Sequence, residues 1–202
     1  CGGCLFAHIA YDRQVTLKGA VIADAFGRLG KIPLDGVRVA PSPQEGYRMR
    51  ARLHVRAGRP GFYCEGTHDL CDAGPTRQLL PGSLAAVESA IAEAAAVGNR
   101  AVAAEVSENV AGDERGILVE LEGGGYLAAG SPSVADPLAL LTGGRVTAGE
   151  LRRRPASFFQ ANRFLLPRLV TTVLDAVPRE GEILDLYAGV GLFAVALAGD
   201  GH

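Results

Sequence analysis

Alternation is the dominant signal in the first half of the chain. Residues 47–57, Tyr-Arg-Met-Arg-Ala-Arg-Leu-His-Val-Arg-Ala, switch between polar and apolar, the period of a strand with one buried face. Gly58 to Gly61, with Pro60, predicts a turn, and Phe62 opens the return strand. Residues 101–106 and 117–122 are also strand-like, the latter bounded by Gly116 and Gly123. Ahead of residue 101 the period becomes helical: Leu84, Val87, Ile91 and Ala94 or Ala95 share one face of a helix predicted from Ser83, as N-cap, to Val97, with Gly98 as its stop. His8 to Lys18 also suits a helix. Several antiparallel strands and at least one helix make an α+β region over about residues 1–145.

Around Gly143 to Pro155 the register changes, and the domain boundary is placed near residue 150, between 1–150 and 151–202. From Phe158 a helical pattern runs to Val177, with Leu165, Leu169, Val173 and Val177 four apart. Pro167 requires that helix to begin close by, because proline is tolerated only in a first turn. Pro178 to Gly181 breaks the chain, and Glu182–Tyr187 predicts a buried first strand leading into a glycine turn and an alanine-rich helix. That order is how a Rossmann-like α/β domain begins. With Cys1 as first residue and His202 ending the chain soon after the turn, the sequence reads as cut at both ends.

Composition adds limits. At 202 residues and 48% apolar, the chain can bury a sizeable core. No apolar stretch approaches the roughly 20 residues that cross a bilayer. The net charge of −2 excludes a uniformly basic nucleic-acid binder, but the charge is divided. Residues 1–60 hold ten Lys and Arg against four Asp and Glu; residues 61–202 hold ten against eighteen. Alternation places Arg48, Arg50 and Arg52 on one strand face. Such a face tracks phosphates or is a solvated edge that deters strand pairing, and the pattern alone leaves both open.

Candidate chemistry gathers at three places. Gly189-x-Gly191-x-x-Ala194 fits the dinucleotide fingerprint, a weak motif by itself. Asp185-x-Tyr187-x-Gly189-x-Gly191 adds an acid at the strand's end, where the ammonium of S-adenosylmethionine can pair with it. Cys1-Gly-Gly-Cys4 has chelate spacing, suiting a metal or cluster in a cytosolic protein, with Cys64 and Cys71 as further thiols. A four-sulfur zinc knuckle is the rival metal reading. The nucleophile elbow, the zinc-protease helix and the phosphate loop are all missing, Gly27-Arg-Leu-Gly30-Lys31-Ile32 having the wrong spacing and no hydroxyl.

In order along the chain, four segments resemble the RNA (uracil-5-)-methyltransferase family, in its ribosomal-RNA branch with an iron–sulfur cluster. They are Cys1-Gly-Gly-Cys4 with His8, Tyr11, Gln14 and Lys18; Tyr47-Arg48-x-Arg50 with Gly61-Phe62; Ser157-Phe158-Phe159-Gln160-x-Asn162; and Asp185 to Phe193. The resemblance implies methyl transfer from S-adenosylmethionine to C5 of a uridine, through covalent addition of a cysteine thiolate to C6 that activates C5. The base must leave its stack to be reached. It implies RNA as partner, 23S rRNA in particular, with no DNA and no membrane, and a cytoplasmic setting. Cofactor contacts fall to Gln160, Asp185, Tyr187, Gly189 and Gly191, substrate contacts to Phe158, Arg48 and Arg50, and ligation of a [4Fe–4S] cluster to Cys1, Cys4 and Cys71. Departures are Ala7 and Met49, where the family favours glutamine and asparagine, and a Cys71 placed early. The family's catalytic cysteine and base lie beyond its cofactor loop, so no catalytic residue is expected here. A non-catalytic RNA-binding module and a nicotinamide-dependent oxidoreductase fragment are the alternatives.

Overall fold

The structure, a computed structural model, describes residues 5–202. Helix α1 (Tyr11–Ala25) comes first, and a long extended segment carries the chain to a six-stranded antiparallel sheet. Its strands are β1 (Arg50–Arg56), β2 (Arg59–Tyr63), β3 (Leu70–Asp72), β4 (Ala101–Glu108), β5 (Arg115–Leu121) and β6 (Tyr126–Gly130), in the order β3-β2-β1-β4-β5-β6. Helix α2 (Pro81–Ala96) crosses one face. Its Val87, Ala90, Ile91 and Ala94 share a core with Leu53, Ala104, Val106 and Val119. Two alanines on the contact stripe let helix and sheet approach closely.

The expected hairpin forms with a shifted turn. Arg56 pairs with Arg59, so Ala57 and Gly58 alone make the bend, both at positive φ, and Pro60 and Gly61 lie inside β2. Two left-handed residues give the twist that antiparallel strands prefer. Helix α2 starts earlier than expected, with Leu80 as N-cap and Pro81 in its first turn; Ser83 is buried and bonds elsewhere. Proline fixes the helical φ where no N–H is needed.

Past the sheet, β7 (Val134–Pro137) and β8 (Glu150–Arg153) form a two-stranded ladder flanking the short α3 (Leu138–Leu141). Helices α4 (Leu166–Ala176) and α5 (Leu192–Gly199) pack with them. This second core joins Leu138, Leu141 and Leu151 to Phe159, Val170, Leu174 and Leu197, and takes Met49 from the chain just before β1. Close approach marks the join: a Cβ on Gly116 of β5 would lie 2.2 Å from the Pro155 ring.

Two expectations are corrected here. Residues 158–165 are not helical; α4 begins at Leu166, with Pro167 in its first turn, as that proline requires. The Asn162 carboxamide oxygen accepts the N–H groups of Phe164 and Leu165, a side-chain turn that leads into the helix. Nor is 182–187 a strand. A strand needs a neighbour to receive its backbone groups, and no strand among the described residues pairs with it. Leu184 is 81% exposed and Leu186 69%.

Ion pairs close the far end of the second core. Arg145 donates to Asp175 and Asp200, and Arg179 donates to the Asp200 carboxylate at 2.9 Å. The Arg145 hydrogen bond, assisted by its charge and that of Arg179, holds the Asp200 carboxyl below the usual range. A depressed folded-state pKa stabilises the fold above the unfolded value of about 4 and loses that effect as pH falls through the folded pKa. Thermal midpoints measured from pH 6 down to about pH 2 should therefore fall less steeply for Asp200→Asn than for the parent chain.

Candidate functional site

The arginine segment and the Phe-Phe-Gln segment, distant in sequence, lie side by side. Met49 N–H donates to the Ala161 carbonyl at 2.8 Å, Arg163 N–H donates to that of Tyr47 at 3.0 Å, and Arg48 and Asn162 form an isolated antiparallel bridge. The pairing lays residues 158–163 against the approach to β1. Phe158 is 69% exposed, with the Arg50 guanidinium 5.9 Å from its ring centre. Phe159 is 3% exposed and has the Arg153 guanidinium 4.1 Å from its centroid. One phenylalanine is therefore a surface ring and its neighbour a core ring.

The three arginines do not share one face. Arg50 and Arg52 stand over the sheet beside Glu105, and Arg52 also pairs with Glu120. Arg48 points elsewhere: its Nε donates to Gln78 Oε1 at 2.8 Å, and its guanidinium lies 5.7 Å from the ring of Phe62, a residue of the α2-facing core. Residue 48 precedes β1, so the strand's alternation does not extend to it. Of the three substrate candidates, the structure brings Arg50 to Phe158 and leaves Arg48 beside Gln78.

A buried charge network lies beneath this junction, one that carries no signal in the residue pattern. Glu108, fully buried at the end of β4, accepts hydrogen bonds from Ser83 of α2, from Arg115 Nε at 2.8 Å and from Arg163 Nη2. Arg163 also donates to the carbonyls of Gly46, Asn109 and Val110, between 2.9 and 3.2 Å. Arg153 donates to the Glu108 carbonyl at 2.6 Å and to the Ser107 hydroxyl, and lies 3.5 Å from Asp136. Burial pushes the Asp136 carboxyl up, against the Val110 N–H and Arg153, while burial pushes Arg153 down, against Asp136.

Removing Arg163 leaves one Glu108 oxygen and three backbone carbonyls without a donor in a dry site, and breaking a buried pair in this way costs about 3–5 kcal/mol. Arg163→Met should lower urea-unfolding stability by that amount. Arg52→Met, taken from the exposed ladder, should cost about 0–1 kcal/mol.

The cofactor candidates form two groups. Gln160 is half-buried beside the core ring Phe159, and its side chain makes no hydrogen bond among the described residues. The others lie between α4 and α5, two helices in contact. Asp185 is half-buried, and its Oδ2 is buried without a hydrogen-bond partner. Tyr187 is fully exposed and held at φ 58°, a strained value for a residue with a Cβ. Gly189 and Gly191 follow at φ 60° and 78°, and Gly191 caps α5. The left-handed pair turns the chain sharply and leaves backbone open at the helix start.

Of the thiols, Cys71 is half-buried in the wall of a cleft of about 520 Å³ between α1 and the sheet, which Ala7, Tyr11, Gln78 and Asn162 also line. Cys64 is half-buried in the β2–β3 turn. Cys1 and Cys4 lie outside the described residues, among which no group of three His, Cys, Asp or Glu side chains is arranged to hold a metal ion. None of the helices described is long and apolar enough to cross a membrane.

Comparison with known proteins found no matching family model. The chain is 32% identical to the 23S rRNA (uracil(1939)-C(5))-methyltransferase RlmD of Halomonas elongata, over all of this chain and 49% of that protein. It is 28% identical to an uncharacterized RNA methyltransferase of Streptomyces coelicolor, over 98% of this chain and 49% of the relative. Among solved structures it resembles the Pyrococcus abyssi tRNA (uracil-54, C5)-methyltransferase in complex with S-adenosyl-L-homocysteine, with a TM-score of 0.69 and 21% identity, over 97% of this chain and 56% of that one. The chain thus spans about half the length of the curated relatives it matches.

Proposed function

We propose that this chain, which is similar to RNA uracil-C5 methyltransferases, forms the part of such an enzyme that begins the cofactor site and presents RNA to it. The reaction is transfer of a methyl group from S-adenosylmethionine to C5 of a uridine, in 23S rRNA, with loss of the C5 proton. The observation that carries this reading is the orphaned Asp185 oxygen at the mouth of a glycine-bent loop. A buried carboxylate oxygen without a donor is costly, and a ligand bearing an ammonium group satisfies it.

When bound, S-adenosylmethionine supplies an electrophilic methyl group on sulfur. The chain's own residues hold and orient. Asp185 accepts from the ammonium, Gly189 and Gly191 let backbone approach without a Cβ, and the Gln160 carboxamide is free to donate or accept. Tyr187, already presented to solvent by its strained backbone, covers the ligand. Phe158 offers a ring for the extruded base, and the Arg50 guanidinium beside it, held by Glu105, is placed to contact the RNA strand. The thiolate that adds to C6 and the base that takes the C5 proton are assigned to no residue of this chain. The division near residue 150 belongs to this proposal, with the second core also drawing on Leu138, Leu141 and Val146.

A [4Fe–4S] cluster held by Cys1, Cys4 and Cys71 is part of the same proposal. Its support is that Cys71 and Ala7, three residues past Cys4, line one cleft. Protein purified without oxygen should be brown, and Cys71→Ser should bleach it; colourless protein carrying one zinc would contradict the assignment.

Calorimetric titration tests the cofactor site. S-adenosylhomocysteine should bind and NADH should not. A charge-assisted hydrogen bond contributes about 1.5–3 kcal/mol, so Asp185→Asn should weaken binding by about tenfold or more. Equal affinity in the folded variant, or preference for NADH, would refute the reading.

A further inference from the structure

One face of the six-stranded sheet is under α2, and the other is only half covered. Pro155 lies against Gly116 and Arg153 reaches Ser107, so the chain from β8 to Phe158 occupies one end of that outer face. At the opposite end no helix packs on it among the described residues. There, alternation along β1 and β2 brings His54, Arg56, Arg59 and Tyr63 to the outer side. The His54 and Tyr63 rings are stacked, with centroids 3.6 Å apart and planes 9° from parallel, and His68 meets Tyr63 edge-on at 5.2 Å. His54 pairs across the strands with Gly61 and Ala103, so its ring stands on a floor without tall side chains. Burial, then the Arg52 charge, pushes the ring's pKa down.

The cations of this face divide into two kinds. Arg50 and Arg52 are occupied by Glu105 and Glu120. Arg56 and Arg59, opposite each other at the hairpin tip, are exposed and have no acidic partner among the described residues. From Arg56 to Arg50 the strand covers about 20 Å, and Arg50 is the residue that meets exposed Phe158.

We propose that the open half of this face is a track for single-stranded RNA, in which a base flanking the target stacks on the His54–Tyr63 pair while Arg56 and Arg59 hold its phosphates. The inference rests on the RNA-methylating reading and adds the route by which the strand reaches Phe158. Bases stack on aromatic rings whatever their sequence, and unpaired guanidinium groups beside the rings supply the complementary charge. The Glu-neutralised arginines between the two ends leave bases rather than phosphates as the natural contacts there.

The test is fluorescence anisotropy of the 202-residue chain with a labelled oligouridylate of about twelve nucleotides, a length within the usual single-strand site sizes. Tyr63→Ala should weaken binding by about tenfold, and Tyr63→Phe, which keeps the stack, should not. Arg56→Ser and Arg59→Ser should each lower the slope of log affinity against log salt by about 0.7. Arg179→Ser, remote and paired to Asp200, should change neither. S-adenosylhomocysteine titration of every variant shows that it is folded and keeps the two readings apart. No oligonucleotide binding, or binding indifferent to Tyr63, Arg56 and Arg59 while the titration stays normal, would overturn the track and leave the cofactor proposal standing.

Discussion

The structure depends on one buried carboxylate. Glu108 ends the central strand β4 with no exposure to water and is shared among Ser83 of α2, Arg115 of β5 and Arg163 of the segment before α4. Desolvating a carboxylate is expensive unless each acceptor site is filled, and each of these partners comes from a different part of the fold. Sheet, covering helix and the segment before α4 must therefore assemble together for the charge to be tolerated. Such a junction specifies geometry more than it adds stability. It fixes where residues 158–163 run, and so where Phe158 and Gln160 point.

Around that junction the two cores divide the labour. The first, sheet against α2, is a rigid plate whose outer face carries arginines, acids and stacked rings. The second, built from α3, α4, α5 and the β7–β8 ladder, holds the glycine bend. Met49 belongs to the second core although it directly precedes the first strand of the plate, so the arginine segment is anchored on both sides. Under the proposed function the plate carries the RNA strand and the bend carries the cofactor, one on each core. The proposed methyl transfer depends on holding those two reactants in one geometry.

Much of the plate was legible because its signals are local. The 47–57 alternation and the Leu84, Val87, Ile91 stripe each report a single buried face, and both elements formed. Turn position was less legible: Gly58 and Pro60 both punctuate, and the cross-strand pairing of Arg56 with Arg59 decides between them. Helical periodicity misled at 158–165, where backbone pairing with residues 47–49 outweighs the local pattern. At 182–187 the apolar run reads as a strand, yet a strand is a property of neighbours that no single segment encodes. The Glu108 network was invisible, because a charged residue two positions past the apolar run 101–106 looks like any surface acid until Arg163 is brought to it. Resemblance supplied the family likeness and the candidate cofactor loop; distance and burial supplied the separation of Arg48 from Arg50 and the unpaired oxygen of Asp185.

A crystal structure of the chain with S-adenosylhomocysteine tests the central claim most directly. The account predicts the ligand's ammonium on Asp185 and its length along the Gly189–Gly191 bend, with residues 158–163 still pinned to the plate through Arg163 and Glu108. A ligand seated elsewhere, or a filled bend with the Arg163–Glu108 contact broken, would contradict it.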